Sequence, residues 1–215
     1  MRATTDKNPM VVSRRVAVMM VVLGLLAVAC GDVPTGSDRV RGSDEVTVET
    51  RSIAEFERVV LAGEGDVLLG NGSDGLVEIE TDDNLLTHIR TEVSGDTLTI
   101  STEPGIDIDP TDGVIYRLGC PVITAVTLSG AGSIIATGRT DRLDVVLAGA
   151  GDFDGRDLRA DAVSVESLGV GTTTLWAVTE LDVSVTGVGT VRYYGEPEVN
   201  STVTGVGTIE ALGPK

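Results

Sequence analysis

A Gly-x-Gly motif returns along the second half of the chain at nearly constant spacing, its first glycines at Gly130, Gly149, Gly169, Gly187 and Gly205, intervals of 19, 20, 18 and 18 residues. The second glycines are Gly132, Gly151, Gly171, Gly189 and Gly207, and an outlying copy holds Gly63 and Gly65. The fullest unit reads Val183-Ser184-Val185-Thr186-Gly187-Val188-Gly189-Thr190-Val191. A fixed period of this size means that each repeat is one turn of chain that can bury its apolar face only against its neighbours. Valine, threonine and leucine dominate while aromatics make up 3%, which favours β-structure made of small stackable side chains. The expectation is an all-β, single-domain parallel β-solenoid, a right-handed β-helix with coils of about 18–20 residues.

Aligned on the first glycine, the repeats resolve into columns. Two positions before it stand Leu61, Leu128, Leu147, Ser167, Val185 and Val203; four before it stand Val59, Val126, Val145, Val165, Val183 and Ser201. Four after it come Val67, Ile134, Phe153, Thr173, Val191 and Ile209. Strand alternation sends these columns inward and sends the residues between them, such as Thr127, Ser184 and Thr202, outward. The glycines are then corners, where positive φ is tolerated and an adjacent coil passes close. A small polar column follows the corner, Asp66, Ser133, Asp152, Thr172, Thr190 and Thr208, placed to form a ladder of mutual hydrogen bonds or to meet a ligand. One coil breaks the pattern: Ser167 and Thr173 put hydroxyls at inward positions, and a one-residue bulge bringing Leu168 inward would restore the core.

Gly-x-Gly also opens nucleotide motifs, but no copy has a third glycine before a helix or a following Lys-Ser/Thr, so phosphate cradles are excluded. Calcium-binding nonapeptide repeats have half this period and need a motif absent here. Asp107, Asp109 and Asp112 are weak calcium candidates, since the segment Asp107 to Gly113 misplaces the EF-hand glycine and puts Leu118 where the bidentate glutamate belongs. It reads as a solvated acidic loop. Asp152 to Asp161 is likewise a mixed-charge loop, and His88, the single histidine, has no nucleophile or metal pattern around it. No catalytic residue, metal or cofactor is expected. Trp176, Tyr193 and Tyr194 are the aromatic candidates for stacking on sugar rings, and one of the adjacent tyrosines must face outward in a strand.

The chain begins with a basic, polar stretch ending in Arg14-Arg15, then an apolar run from Val16 to Val28, then Ala29-Cys30. The run is too short to span a bilayer comfortably and describes a secretory signal peptide over residues 1–29. Leu26-Ala27-Val28-Ala29-Cys30 resembles the lipobox of bacterial lipoproteins, with Ala27 where the pattern prefers a larger aliphatic residue; Cys30 is then the lipidation site. Each buried acyl methylene is worth about 0.8 kcal/mol, so two or three chains hold a protein at a membrane essentially permanently. Residues 30–44, rich in Gly, Asp, Ser and Pro, read as a flexible tether, and residues 45–215 as the folded domain. With Cys30 acylated, Cys120 has no partner for a disulfide and reads as a small core residue.

In the first half of the domain, Val46-Thr47-Val48, Phe56 to Leu61, Asp66 to Leu69 and Leu76 to Glu80 read as strands. Asp82-Asp83-Asn84 offers an N-cap for a short helix carrying Leu85, Leu86 and Ile89, and Ser94-Gly95-Asp96 signals a hairpin. The solenoid is thus expected to begin with a hairpin and short-helix region.

Phe56 to Leu69, the segment Thr81-Asp82-Asp83-Asn84-Leu85-Leu86, then Thr91-Glu92-Val93 and Leu98-Thr99-Ile100, and the repeated Leu/Val-x-Gly-x-Gly series resemble the bacterial head GIN domain family of auto-transporter adhesins over about residues 46–212. The resemblance implies a secreted β-helical domain. The copy departs from the family in using Gly-Val-Gly-Thr where a small residue and aspartate are common, which removes support for an aspartate ligand ladder. Cleavage of the leader removes four basic side chains and one acidic, taking the formal net charge from −17 to about −20. Such a surface repels nucleic acid. The expectation is a protein exported across the cytoplasmic membrane and lipid-anchored on its outer face, at the cell surface or in the periplasm, binding envelope glycans or proteins. A polysaccharide-active β-helix enzyme and a structural spacer are the alternatives.

Overall fold

Strand alternation and glycine corners yield 16 strands and no α-helix among the described residues. The computed structural model describes residues 37–72 and 75–215; the signal peptide, Cys30 and the first part of the expected tether lie outside them. In chain order the strands are β1 (Asp38–Arg41), β2 (Val46–Ser52), β3 (Arg58–Leu61), β4 (Glu64–Asn71), β5 (Leu76–Asp82), β6 (Ile89–Ser94), β7 (Thr97–Thr102) and β8 (Ile106–Asp109). They continue with β9 (Ile115–Cys120), β10 (Ala125–Leu128), β11 (Ala131–Leu147), β12 (Ala150–Ser167), β13 (Val170–Val185), β14 (Val188–Tyr194), β15 (Glu198–Val203) and β16 (Val206–Gly213). β1 and β8 form a two-stranded parallel sheet, and the other 14 belong to one large curled sheet.

Two parallel ladders meet at the glycine corners. Before the corner, β3, β10, and the ends of β11, β12 and β13 pair in turn, so that Val59, Val126, Val145, Val165 and Val183 stand in register, with β15 added last. After it, β4 pairs the start of β11, which pairs β12, then β13, β14 and β16. Gly65, Gly132 and Gly151 share one row across the second ladder, as do Gly171, Gly189 and Gly207. The sequence columns are therefore physical columns. Their inward members are buried from Val59 to Val191 and, apart from Ser167 and Thr173, belong to one apolar core. β15 pairs only β13 and β16 pairs only β14, so this side of the sheet ends in an open edge among the described residues.

The first half differs in grain. β2 and β5, β5 and β9, and β6 and β7 pair antiparallel, the last as the expected hairpin with Gly95 at φ 63°. These strands cover the array at β3, which pairs β7, and at β4, which pairs β9.

Four expectations need correction. The tether does not extend to residue 44: Asp38–Arg41 pairs with Ile106–Asp109, and Ser43 N–H donates to Asn84 Oδ1 at 3.0 Å while Asn84 Nδ2 donates to the Arg41 carbonyl at 2.8 Å. Alternating Arg39 and Val40 can join an edge because Arg39 finds Asp109 at 3.0 Å. The helix after Asp82-Asp83-Asn84 is a single 3-10 turn, Leu86–His88, without a side-chain cap. Asp82 instead is buried and accepts from the backbone N–H groups of Thr111 (2.8 Å) and Asp44 (2.9 Å) and from the Thr111 hydroxyl (2.9 Å). No bulge brings Leu168 inward, because Ser167 pairs with Val185 in unbroken register and Leu168 is exposed. The extra residues sit in the presumed mixed-charge loop, which is strand β12 interrupted between Gly155 and Arg159, where Leu158 drops into the core.

Candidate functional site

The corner is built by close approach. A Cβ at Gly130 would lie 1.8 Å from the Gly63 carbonyl oxygen, one at Gly149 2.0 Å from that of Gly130, and one at Gly169 1.9 Å from that of Gly149. The same carbonyls accept the next backbone N–H of the following repeat, Ala131 to Gly63, Ala150 to Gly130 and Val170 to Gly149, each at 3.0 Å. The first glycine is thus fixed by its neighbour's backbone, whereas Gly132 and Gly151 also take positive φ, 133° and 147°.

Alternation aims the residue between the two glycines out of the sheet, producing the surface column Glu64, Ala131, Ala150, Val170, Val188, Val206. Its last three members are 57%, 52% and 73% exposed. The adjacent polar column hydrogen-bonds along itself where it is acidic: Asp66 Oδ1 accepts from the Ser133 backbone (3.0 Å) and hydroxyl (2.7 Å), and Asp152 Oδ1 from the Thr172 backbone (2.7 Å). At the other end Thr190 and Thr208 exchange a hydroxyl contact at 3.2 Å. Valines and threonines of the last three repeats line an open groove of about 430 Å³. It offers apolar methyl groups beside hydroxyls, a lining that suits contact with another surface. The sequence columns located its threonines; the valines were missed, although a residue between two corner glycines has to point outward by the same alternation.

Other predicted candidates fall in separate places. Trp176 and Tyr194 are register partners on neighbouring strands, and Tyr193 turns to pack against the core. Asp107 and Asp109 lie in β8, with Asp109 paired to Arg39, and no group of three His, Cys, Asp or Glu side chains able to hold a metal occurs among the described residues. Glu64, beside them in a cleft of about 380 Å³, has a buried Oε1 without a hydrogen-bond partner among the described residues. Burial, then repulsion from Asp107 and Asp109, pushes its carboxyl above the usual range. His88 meets Glu103 at 3.1 Å. Cys120 is buried, donates to the Val122 carbonyl at 2.8 Å, and is pushed up to about 11 by burial, so it is a packed thiol at neutral pH.

The family model described as "Putative auto-transporter adhesin, head GIN domain" matches residues 55–135 and 124–197. Among solved structures, a "putative adhesin" from Bacteroides fragilis is similar, with TM-score 0.52 and 22% identity, over 80% of this chain and 100% of that one. A "putative lipid binding protein" from Parabacteroides distasonis gives TM-score 0.47 at 16% identity, over 81% of this chain and 100% of that one. A "putative cell adhesion protein" from Clostridium sporogenes gives 0.44 at 16% identity, over 80% of this chain and 100% of that one. No curated protein matches.

Proposed function

The chain belongs to the head GIN domain family, and on that premise we propose that it is a cell-envelope protein, lipid-anchored through Cys30 after removal of residues 1–29, whose folded part serves as an adhesion or binding module. In this reading the two parallel ladders close into a right-handed β-solenoid with one turn per repeat; register offsets of 17 to 20 residues between paired strands support it. The ligands are envelope glycans or proteins.

The observation that carries the binding role is the corner groove of Val170, Val188 and Val206 with Thr172, Thr190 and Thr208. Three large aliphatic side chains stay exposed at adjacent rungs where the earlier repeats use Ala131 and Ala150. Apolar stripes beside polar groups mark contact surfaces. A panel of envelope polysaccharides and proteins presented to the purified chain should yield saturable binding that Val188→Asp abolishes while Thr127→Asp, on the other outward face, does not. Binding indifferent to Val188→Asp would remove the groove from the proposal. For the anchor, Cys30→Ala should release the protein from membranes, and continued membrane retention of a processed form would sink it.

A further inference from the structure

Away from the groove, the register that pairs Trp176 with Tyr194 lays two outward rings side by side, and a cation lies over both. Lys215 Nζ stands 5.1 Å from the Trp176 ring centroid and 5.4 Å from that of Tyr194. The same ammonium pairs with Asp157 Oδ1 at 2.6 Å and donates to the Arg156 carbonyl. Both acceptors come from the irregular stretch of β12 between Gly155 and Arg159, so the extra residues of that repeat are what deliver them. Lys215 lies beyond the last ladder pair, Tyr194 with Gly213, and is therefore held by its side chain and not by strand pairing. A cleft of about 270 Å³ adjoins it, lined by Glu196 as a further carboxylate and by Arg159, whose charge is paired with Asp161 at 2.8 Å.

We propose that Trp176, Tyr194, Asp157 and the Arg156 carbonyl form a binding site for a lysine side chain of a partner polypeptide, with Lys215 as the chain's own displaceable occupant. Two ring faces attract any cation. The carboxylate and carbonyl add a narrower demand. They accept hydrogen bonds, so the ligand must carry N–H donors, which a primary ammonium has and a quaternary one lacks. The formal charge of −17 draws basic partners to the surface. A tethered occupant competes at an effective concentration of the order of millimolar, so the native site is masked against weak ligands and yields to a partner that also binds elsewhere on the surface. The site stands whether or not the corner groove binds anything.

Trp176 is the single tryptophan, so its fluorescence reports this site alone. The full-length chain and Lys215→Met would be titrated with Nα-acetyl-lysinamide, its Nε-trimethylated counterpart and phosphatidylethanolamine vesicles. Lys215→Met should respond saturably to the free-amine probe at least about tenfold more tightly than the native chain, with further Asp157→Asn costing about tenfold and the trimethylated probe binding more weakly. Absence of a saturable response in Lys215→Met, or equal curves with and without Asp157, would overturn the proposal. A response to the vesicles but not to the lysine probe would overturn the polypeptide assignment. Lys215→Gln carries the same comparison should Lys215→Met not fold.

Discussion

The repeats at the two ends of the array carry related residues in the same columns, yet they are buried to different degrees. Val59, Leu61 and Val67 are buried, whereas their counterparts in the last repeat are exposed Ser201, Val203 at 44% exposure and half-buried Ile209. The difference lies in neighbours. β3 and β4 are flanked on one side by β7 and β9 and on the other by β10 and β11, while β15 and β16 have a single partner strand each among the described residues. Column identity assigns direction; burial requires a neighbour on both sides.

The sharpest way to break this comparison is truncation within one column. Leu128→Ala, in the middle of the stack, should cost about 2–5 kcal/mol of unfolding free energy, and Val203→Ala no more than about 0.5, measured by denaturant titration. Comparable losses would mean that the last repeat is covered. Next in size, Gly149→Ala forces a Cβ against the Gly130 carbonyl between two paired strands and should cost well over about 1 kcal/mol. Gly205→Ala meets the Gly187 carbonyl at 2.2 Å, but its strands can shift toward the open edge, so the melting temperature should fall less. Thr173→Val should raise stability by about 1 kcal/mol, since the Thr173 Oγ1 is buried without a partner among the described residues; a loss would reveal one.

The smallest effects are pH-dependent and lie in the first half. The Thr111 backbone N–H, then the Thr111 hydroxyl and the Asp44 N–H, hold the Asp82 carboxyl below the usual range. Its contribution is therefore complete above the unfolded-chain value of about 3.9 and is lost as pH falls through the depressed folded value. Glu64 acts with the opposite sign. Its raised value means that the unfolded chain loses the proton first, so stability falls as pH rises from about 4.3 through the folded value. Denaturation midpoints between pH 3 and 7 should show Asp82→Asn flattening the acid limb, and Glu64→Gln removing the decline and gaining stability at pH 7.

The array was legible from the chain because a period couples every repeat to the same geometry: Val126, Val145, Val165 and Val183 each name the position of the others. Even its irregularity left a trace in the interval of 20, but spacing cannot say where within a repeat the extra residue is absorbed, and Leu158, not Leu168, is the side chain that turns inward. The first half lacks such redundancy. β1 reads as linker because Asp38–Arg41 is polar, and only its pairing with a strand 68 residues away makes it structure. Asp82 looks like a helix cap by local chemistry, while its partners, Asp44 and Thr111, are 38 and 29 residues distant. The Lys215 contact was invisible for the same reason: it depends on the bulge in β12 as much as on the aromatic residues.

The open edge of β15 and β16 also governs how copies of the protein behave in solution. An unpaired strand row is a template on which another sheet can grow. Here it carries exposed Glu198, and Glu210 paired with Arg192 at 3.3 Å, on a chain of net charge −17. Like charge repels approaching edges over a screening length of about 10 Å at 0.1 M salt, and of only about 3 Å at 1 M. The consequence is a dependence on ionic strength: light scattering by the purified chain should stay flat in dilute buffer and rise as salt screens the edge, and a salt-independent signal would show that the edge is not a template.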